Sequence, residues 1–317
     1  MRSLSGVAWS PALLARAAPA APSASATPLA RPLAARVPPH AFFLTSAVFH
    51  YLGPAFAVLL FQQVDVLGVA WLRIASAAVV FAVWRRPWRL LPSLSLAQRW
   101  RLLALGGVLA ATNACFYLAI AQLPLGTVGG IEFLGPVALA AVGARSRRNL
   151  LALGLAAAGV YVLTDVRVAG APVGFLFAFA NCVLFVLYVV LGHRIAQDGG
   201  QQGVDRLGAA MLIALVAITP LGLAGARPAF GAPLLLGAGI GVGICSSVIP
   251  YVCDQLAMAR LPRATFALLL SLLPATATAI GLVVLNQLPS PVEWAAIGLI
   301  VAGVALHHDQ PAPRGRA

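Results

Sequence analysis

Ten continuous apolar runs decide what this chain of 317 residues can become. They lie roughly at 41–61, 66–84, 102–122, 125–144, 150–166, 172–192, 207–225, 234–257, 264–285 and 291–308. Each is near the ~20 residues that a helix rising ~1.5 Å per residue needs to cross ~30 Å of hydrocarbon. Backbone polar groups in that medium must be satisfied internally. The runs also lack the period-two alternation of a membrane barrel, so helices are the expected spanning structure. With 61% apolar and 9% charged residues and a mean hydropathy of +0.94, a water-soluble domain is excluded.

A formal charge of +13 would point to nucleic acid in a soluble protein, but here all 21 basic residues are arginine and most sit between apolar runs. Counted along the ten runs, eighteen fall on one side of the bilayer: the N-terminal segment, the even-numbered connections and the C-terminal tail. Only Arg167 and Arg227 fall on the other, and Arg73 lies inside a run. Arginine is retained on the cytoplasmic side, so a multi-pass plasma-membrane protein with both termini cytoplasmic is expected.

The chain is also internally duplicated. LAIAQLP at Leu118 to Pro124 returns 138 residues later as LAMARLP at Leu256 to Pro262, and Pro136 and Pro274 keep that offset. GLAAAGV at Gly154 to Val160 recurs as GLIVAGV at Gly298 to Val304, offset by 144, so six extra residues fall around Asn286 to Glu293. The turn after the first heptapeptide is uncharged while the second carries Arg260 and Arg263; conversely, the arginine-rich turn at 145–148 is matched by NQLPSPV. Two swaps of sign place the copies in opposite orientations. The expected fold is an all-α membrane protein of ten transmembrane helices arranged as two inverted five-helix repeats, 41–168 and 172–308.

Residues 1–40, rich in alanine and proline with four arginines and no acid, cannot bury a core. They form either a disordered cytosolic tail, an overextended start included, or a cleaved targeting segment; 309–317 is a cytosolic tail. Cys115, Cys182, Cys245 and Cys253 lie inside apolar runs without metal-ligand spacing, so no metal is expected. His307 and His308 mark the interface at the end of the last run.

Ionisable groups within hydrocarbon are costly, which makes the few present functional candidates. Glu132 and Arg73 each lie about seven residues into their runs from the same side, near ~10 Å depth at ~1.5 Å per residue. One reading makes Glu132 a proton acceptor or a ligand for a substrate amine; the other makes the two a fixed buried pair joining helices. In either case they are expected within salt-bridge reach or sharing a bridging partner. Asp254 lies nearer the cytoplasmic end of its run, where a solvated interface acid is the alternative. His50, Tyr51, Asn113, Tyr117, Asn181, Tyr188, Ser246, Ser247 and Tyr251 supply sparse donors and acceptors for a central polar path, or for helix-to-helix hydrogen bonds. Pro54, Pro136, Pro250 and Pro274 free helix carbonyls that neighbours or solute can use.

These features come with a resemblance. WLR at Trp71 to Arg73, RPWRL at Arg86 to Leu90, FYLAIAQLPLG at Phe116 to Gly126, EFLGP at Glu132 to Pro136 and SSVIPYVCDQLAMARLP at Ser246 to Pro262 are similar to the EamA-type drug/metabolite transporter superfamily, and within it to threonine and homoserine exporters. The similarity spans roughly residues 45–307. It implies a secondary transporter exporting small metabolites such as amino acids by alternating access; with no nucleotide site in the sequence, proton coupling and facilitated exchange are both open. Members usually have an acidic residue just before the ninth-helix proline, where this chain has Leu273, and a Gly-Glu pair where it has Asn286 and Gln287. A non-transporting membrane scaffold or sensor derived from a carrier fold is the alternative. HExxH, GxSxG and P-loop motifs are absent and the eight acids are scattered, so neither an enzyme nor a cofactor is expected. The expected partners are a small-molecule solute and the lipid bilayer, without nucleic acid; a homodimer is compatible with the same residues.

Overall fold

A computed structural model describes residues 37–143, 146–167, 171–197, 202–258, 260–261 and 272–306. Among these residues the chain is helical, with no strand. α1 (Pro39–Leu60), α2 (Val66–Arg85), α3 (Leu96–Ile120), α4 (Leu125–Gly143) and α5 (Arg147–Arg167) are followed by α6 (Pro172–Gln197) and α7 (Gln202–Phe230). Two single 3-10 turns, Pro87–Arg89 and Leu91–Ser93, join α2 to α3. α8 runs through Pro233–Gly243, a π-helical turn at Ile244–Val248, and Ile249–Met258; α9 (Leu272–Leu285) and α10 (Pro291–Leu306) complete the described helices. Most of the two expected tails, His307 and His308, and Pro262 and Arg263 of the second heptapeptide lie outside the described residues.

α1, α2, α3, α6, α7 and α8 are long and apolar enough to span a bilayer, and Leu125–Gly135, Leu273–Leu285 and Pro291–Gly303 are shorter apolar helical stretches. Their outward faces are also greasy: Val83, Val216 and Leu234 are 74%, 75% and 86% exposed. Apolar side chains on that scale facing outward need lipid, not water, as their solvent. The chain is therefore a multi-pass membrane protein.

Capping chemistry moves several boundaries away from the edges of the apolar runs. α3 begins at Leu96 and not near 102, because Ser95 and Gln98 close a reciprocal capping box: Gln98 N donates to Ser95 Oγ (3.3 Å) and Ser95 N to Gln98 Oε1 (2.9 Å). α7 outruns its apolar stretch at both ends, carrying Asp205 in its first turn and Arg227 in its last, each of the sign that the helix dipole favours there. α4 follows Pro124, whose side chain has no acceptor with which to cap it. Its Leu125 N instead donates to Gln287 Oε1 from the α9–α10 turn, at 3.1 Å.

The repeated sequences fold alike. In the first heptapeptide Gln122 N and Leu123 N both donate to Ala119 O (3.0 and 2.8 Å); in the second Arg260 N and Leu261 N both donate to Ala257 O, at the same two distances. α2 packs on α7, α4 on α9 and α5 on α10. Each of these pairs runs antiparallel: Gly68 meets Gly225 while Arg85 meets Asp205, Leu125 meets Gln287 while Gly129 meets Ala277, and Ala152 meets Gly303 while Gly159 meets Ala296. The α5–α10 contact is reciprocal, since Gly159 faces Ala296 and Ile300 while Gly303 faces Ala152 and Ala156, all four relations at the 144-residue offset. Across the bundle α3 packs on α6 and α7, as α8 does on α1 and α2.

Close approach at these crossings depends on missing side chains. A Cβ on Gly68 would collide with the Gly225 backbone, whereas one on Gly107 would meet nothing within 4 Å. Gly68→Val should therefore lower the melting temperature of the purified protein, by a cost of about 1–3 kcal/mol or more for overpacking. Gly107→Ala should leave it unchanged or raise it by up to ~1 kcal/mol of helix propensity. Equal melting temperatures for the two variants would show that the α2–α7 crossing is not set by this glycine.

Candidate functional site

Arg73 stands in the third turn of α2 and is only 4% exposed. A guanidinium there needs partners, and α8 supplies them through a defect in its own helix. Pro250 has no N–H to offer the carbonyl four residues back, that of Ser246, and the π-helical turn widens the helix at the same place. Arg73 Nη2 donates to that carbonyl at 2.9 Å, and Arg73 Nε donates to Ser247 Oγ at 2.8 Å. The guanidinium also lies over the ring of Tyr117, 5.5 Å from its centroid. Gly53 of α1 lets Ser246 approach, and Gly243 makes room for Ser76 and the Arg73 backbone.

Glu132, 2% exposed, occupies the equivalent depth of α4. Tyr51 Oη of α1 donates to its Oε2 at 3.2 Å and Asn181 Nδ2 of α6 to its Oε1 at 3.0 Å. Among the described residues Glu132 and Arg73 do not form a direct ion pair, which corrects the first of the two expected arrangements, a salt bridge or a shared bridging partner. Each is instead satisfied by neutral groups, while both line one small cavity with His50, Asn113, Tyr188 and Tyr251. α1, α2, α3 and α4 contribute to it from one side of the sequence, α6 and α8 from the other.

Of the twelve candidates, eleven gather here. His50, Arg73, Asn113, Glu132, Tyr188 and Tyr251 line the cavity; Tyr51, Tyr117, Asn181, Ser246 and Ser247 touch the lining residues. Asp254 is half-buried one turn beyond Tyr251, beside Ser46, and is not among the lining residues. Leu109, Thr112, Phe116 and Phe185 line the cavity but were not singled out from sequence. The signal for them was helical spacing: Leu109, Thr112, Asn113 and Phe116 fall on one face of α3, and Asn181, Phe185 and Tyr188 on one face of α6. Tyr188 packs on both Phe185 (5.8 Å between centroids) and Tyr251 (5.7 Å).

The cavity measures about 20 Å³, room for water and too small for an amino acid. Around it Thr112 Oγ1, Asn113 Oδ1, Tyr117 Oη, Asn181 Oδ1 and Ser246 Oγ are buried without a well-formed hydrogen bond, Tyr117 lying beside Ser246 and Arg73 and Asn113 beside Tyr251. Buried polar atoms are normally paired, so this concentration marks a place fitted for a polar guest. A second cavity of about 180 Å³ opens between α4, α9 and α10, with Thr127, Thr278, Gln287 and Glu293 in its wall.

The link between Arg73 and Ser246 predicts a coupling. Arg73→Met should destabilise the protein by leaving a buried carbonyl unpaired, at about 1–3 kcal/mol. Pro250→Ala restores an N–H for that carbonyl, so the penalty for Arg73→Met should shrink in the Pro250→Ala background. Additive losses in melting temperature across the four proteins would refute the link.

Comparison with known proteins places this arrangement. Residues 172–307 match the EamA-like transporter family. The chain is similar to the threonine/homoserine exporter RhtA of Escherichia coli, 31% identical over 253 residues covering 79% of this chain and 84% of that one. It is likewise similar to the RhtA exporter of Salmonella typhimurium, at 30% identity over 257 residues with the same coverage. A crystal structure 21% identical in sequence shares the fold, with a TM-score of 0.53 over 84% of this chain and 95% of the other. A membrane transporter of small metabolites and not an enzyme, the chain belongs to the EamA-like transporter family of the drug/metabolite transporter superfamily.

Proposed function

We propose that this protein exports small zwitterionic metabolites of the threonine/homoserine type across the plasma membrane by alternating access between two inverted five-helix halves, 41–168 and 172–308. The observation that carries the proposal is a cavity walled by both halves, in which one carboxylate and one guanidinium stand apart. A zwitterion offers the complement of that pair. Its ammonium goes to Glu132, and its carboxylate to the Arg73 Nη1, which Ser246 and Ser247 leave unused. Thr112 and Asn113 are placed for a side-chain hydroxyl.

The inverted relation is supported by the antiparallel pairing of α2 with α7, α4 with α9 and α5 with α10, since copies related by an axis along the membrane normal would pair in parallel. Asn113 and Tyr251, 138 residues apart, line the same cavity, as equivalent positions near such an axis would. Because the cavity is smaller than its solute, transport requires the halves to separate on one side and then the other. Glu132 holds either a proton or the solute ammonium, so that exchange of the two across the membrane couples export to the proton gradient.

Glu132→Gln keeps the size of the side chain and one of its two acceptors but removes the titratable charge. The variant should reach the membrane in normal amount yet export threonine and homoserine several-fold more slowly, or without response to external pH. Wild-type export with an unchanged pH response would leave Glu132 a structural residue. Tyr51→Phe should slow export on its own but add nothing to Glu132→Gln, because both act through one carboxylate.

Orientation has its own test. In a cysteine-free background, Leu288→Cys in the α9–α10 turn should react with a membrane-impermeant maleimide in intact cells. Leu91→Cys in the arginine-rich α2–α3 connection should react only after permeabilisation. The opposite pattern would reverse the topology.

A further inference from the structure

We propose that an apolar groove between α3 and α7, at the arginine-rich end of the bundle, is a binding site for one anionic phospholipid. The groove, about 540 Å³, has walls of Leu102, Leu103, Leu212 and Ile213, with Trp88 from the α2–α3 connection and Arg99 at its rim. Gly106 brings α3 against Ala210 and Ile213 of α7 beside it, so the groove is formed by one helix from each half of the sequence. Its walls suit an acyl chain. They carry no carboxylate.

Charge selects the headgroup. Between Asp65 and Glu132 the chain has no acidic residue, while Arg86, Arg89, Arg99 and Arg101 are all exposed in and beside the α2–α3 connection. Arg85, the neighbouring arginine, is taken by Asp205 at 2.6 Å. The Arg99 guanidinium at the rim therefore stands where the phosphate of a lipid with its chain in the groove would lie, a group that arginine recognises well. Trp88 and Trp100, 49% and 64% exposed, mark the level of the headgroups. A basic pocket between helices on the arginine-rich side fits an anionic lipid.

The test uses the full-length protein in detergent, with phosphatidylglycerol, phosphatidylcholine of the same acyl chains, and soluble glycerol phosphate. Phosphatidylglycerol should raise the melting temperature by several degrees more than phosphatidylcholine and remain bound in native mass spectra, and glycerol phosphate should do neither. Arg99→Ala should lose at least half of the phosphatidylglycerol advantage. Arg227→Ala, which removes the same charge from the opposite end of α7, should lose none of it. Leu212→Trp, which fills the groove, should release the bound lipid. Equal effects of the two lipids, equal losses in the two arginine variants, stabilisation by glycerol phosphate alone, or lipid retained by a folded Leu212→Trp protein would each overturn the proposal. The Arg99 and Arg227 comparison stands by itself if the tryptophan variant does not fold.

Discussion

A single buried guanidinium organises the centre of this bundle. Arg73 cannot sit in hydrocarbon without acceptors, and the acceptor it uses exists only because Pro250 withholds an N–H from Ser246. Neither defect is tolerable alone. An orphaned carbonyl in α8 and an unpaired charge in α2 would each cost several kilocalories, of order ~1–3 kcal/mol for the carbonyl and more for the charge. Joined, they fix the rotation and depth of α2 against α8, and the widened turn that results presents Ser247 to the same side chain.

Glu132 is held by a different logic. Tyr51 and Asn181 approach its two oxygens from α1 and α6, so the carboxylate ties together the first helices of the two sequence halves. Keeping the acid away from direct contact with the guanidinium leaves each able to attract a charged guest. A closed Arg–Glu pair would have satisfied both and made the cavity inert. The unpartnered oxygens of Thr112, Asn113 and Asn181 lie on the same helices that carry the charged groups or touch them, which ties recognition to helix position.

Much of this was legible in the residues. Continuous apolar runs imposed helices, duplicated heptapeptides foretold matching turns, and the depth of Arg73 and Glu132 followed from counting along α2 and α4. Freed carbonyls at prolines were expected to find neighbours, and Ser246 did. The rest depends on rotation about helix axes, which periodicity cannot resolve when a helix is apolar on every side. That is why Phe116 and Phe185 escaped notice while polar Asn113 and Tyr188 beside them did not, and why a salt bridge or a shared partner was expected where two neutral clusters formed. The start of α3 was misplaced for another reason: a capping box carries a helix out through the interface, beyond the apolar run that announced it.

The side chain that caps α4 has a mechanical meaning. Gln287 belongs to the longer α9–α10 turn of the second copy, where its N donates to Gly281 O at 3.1 Å, while its side-chain oxygen closes the first turn of the helix that bears Glu132. Parting α4 from α9 at that end exposes an uncapped helix start, a penalty of about 0.5–2 kcal/mol if it resembles the loss of an ordinary N-cap. Under the proposed alternating access, opening this mouth would first have to pull Gln287 away from Leu125, so one glutamine would act as a latch on the helix that carries Glu132.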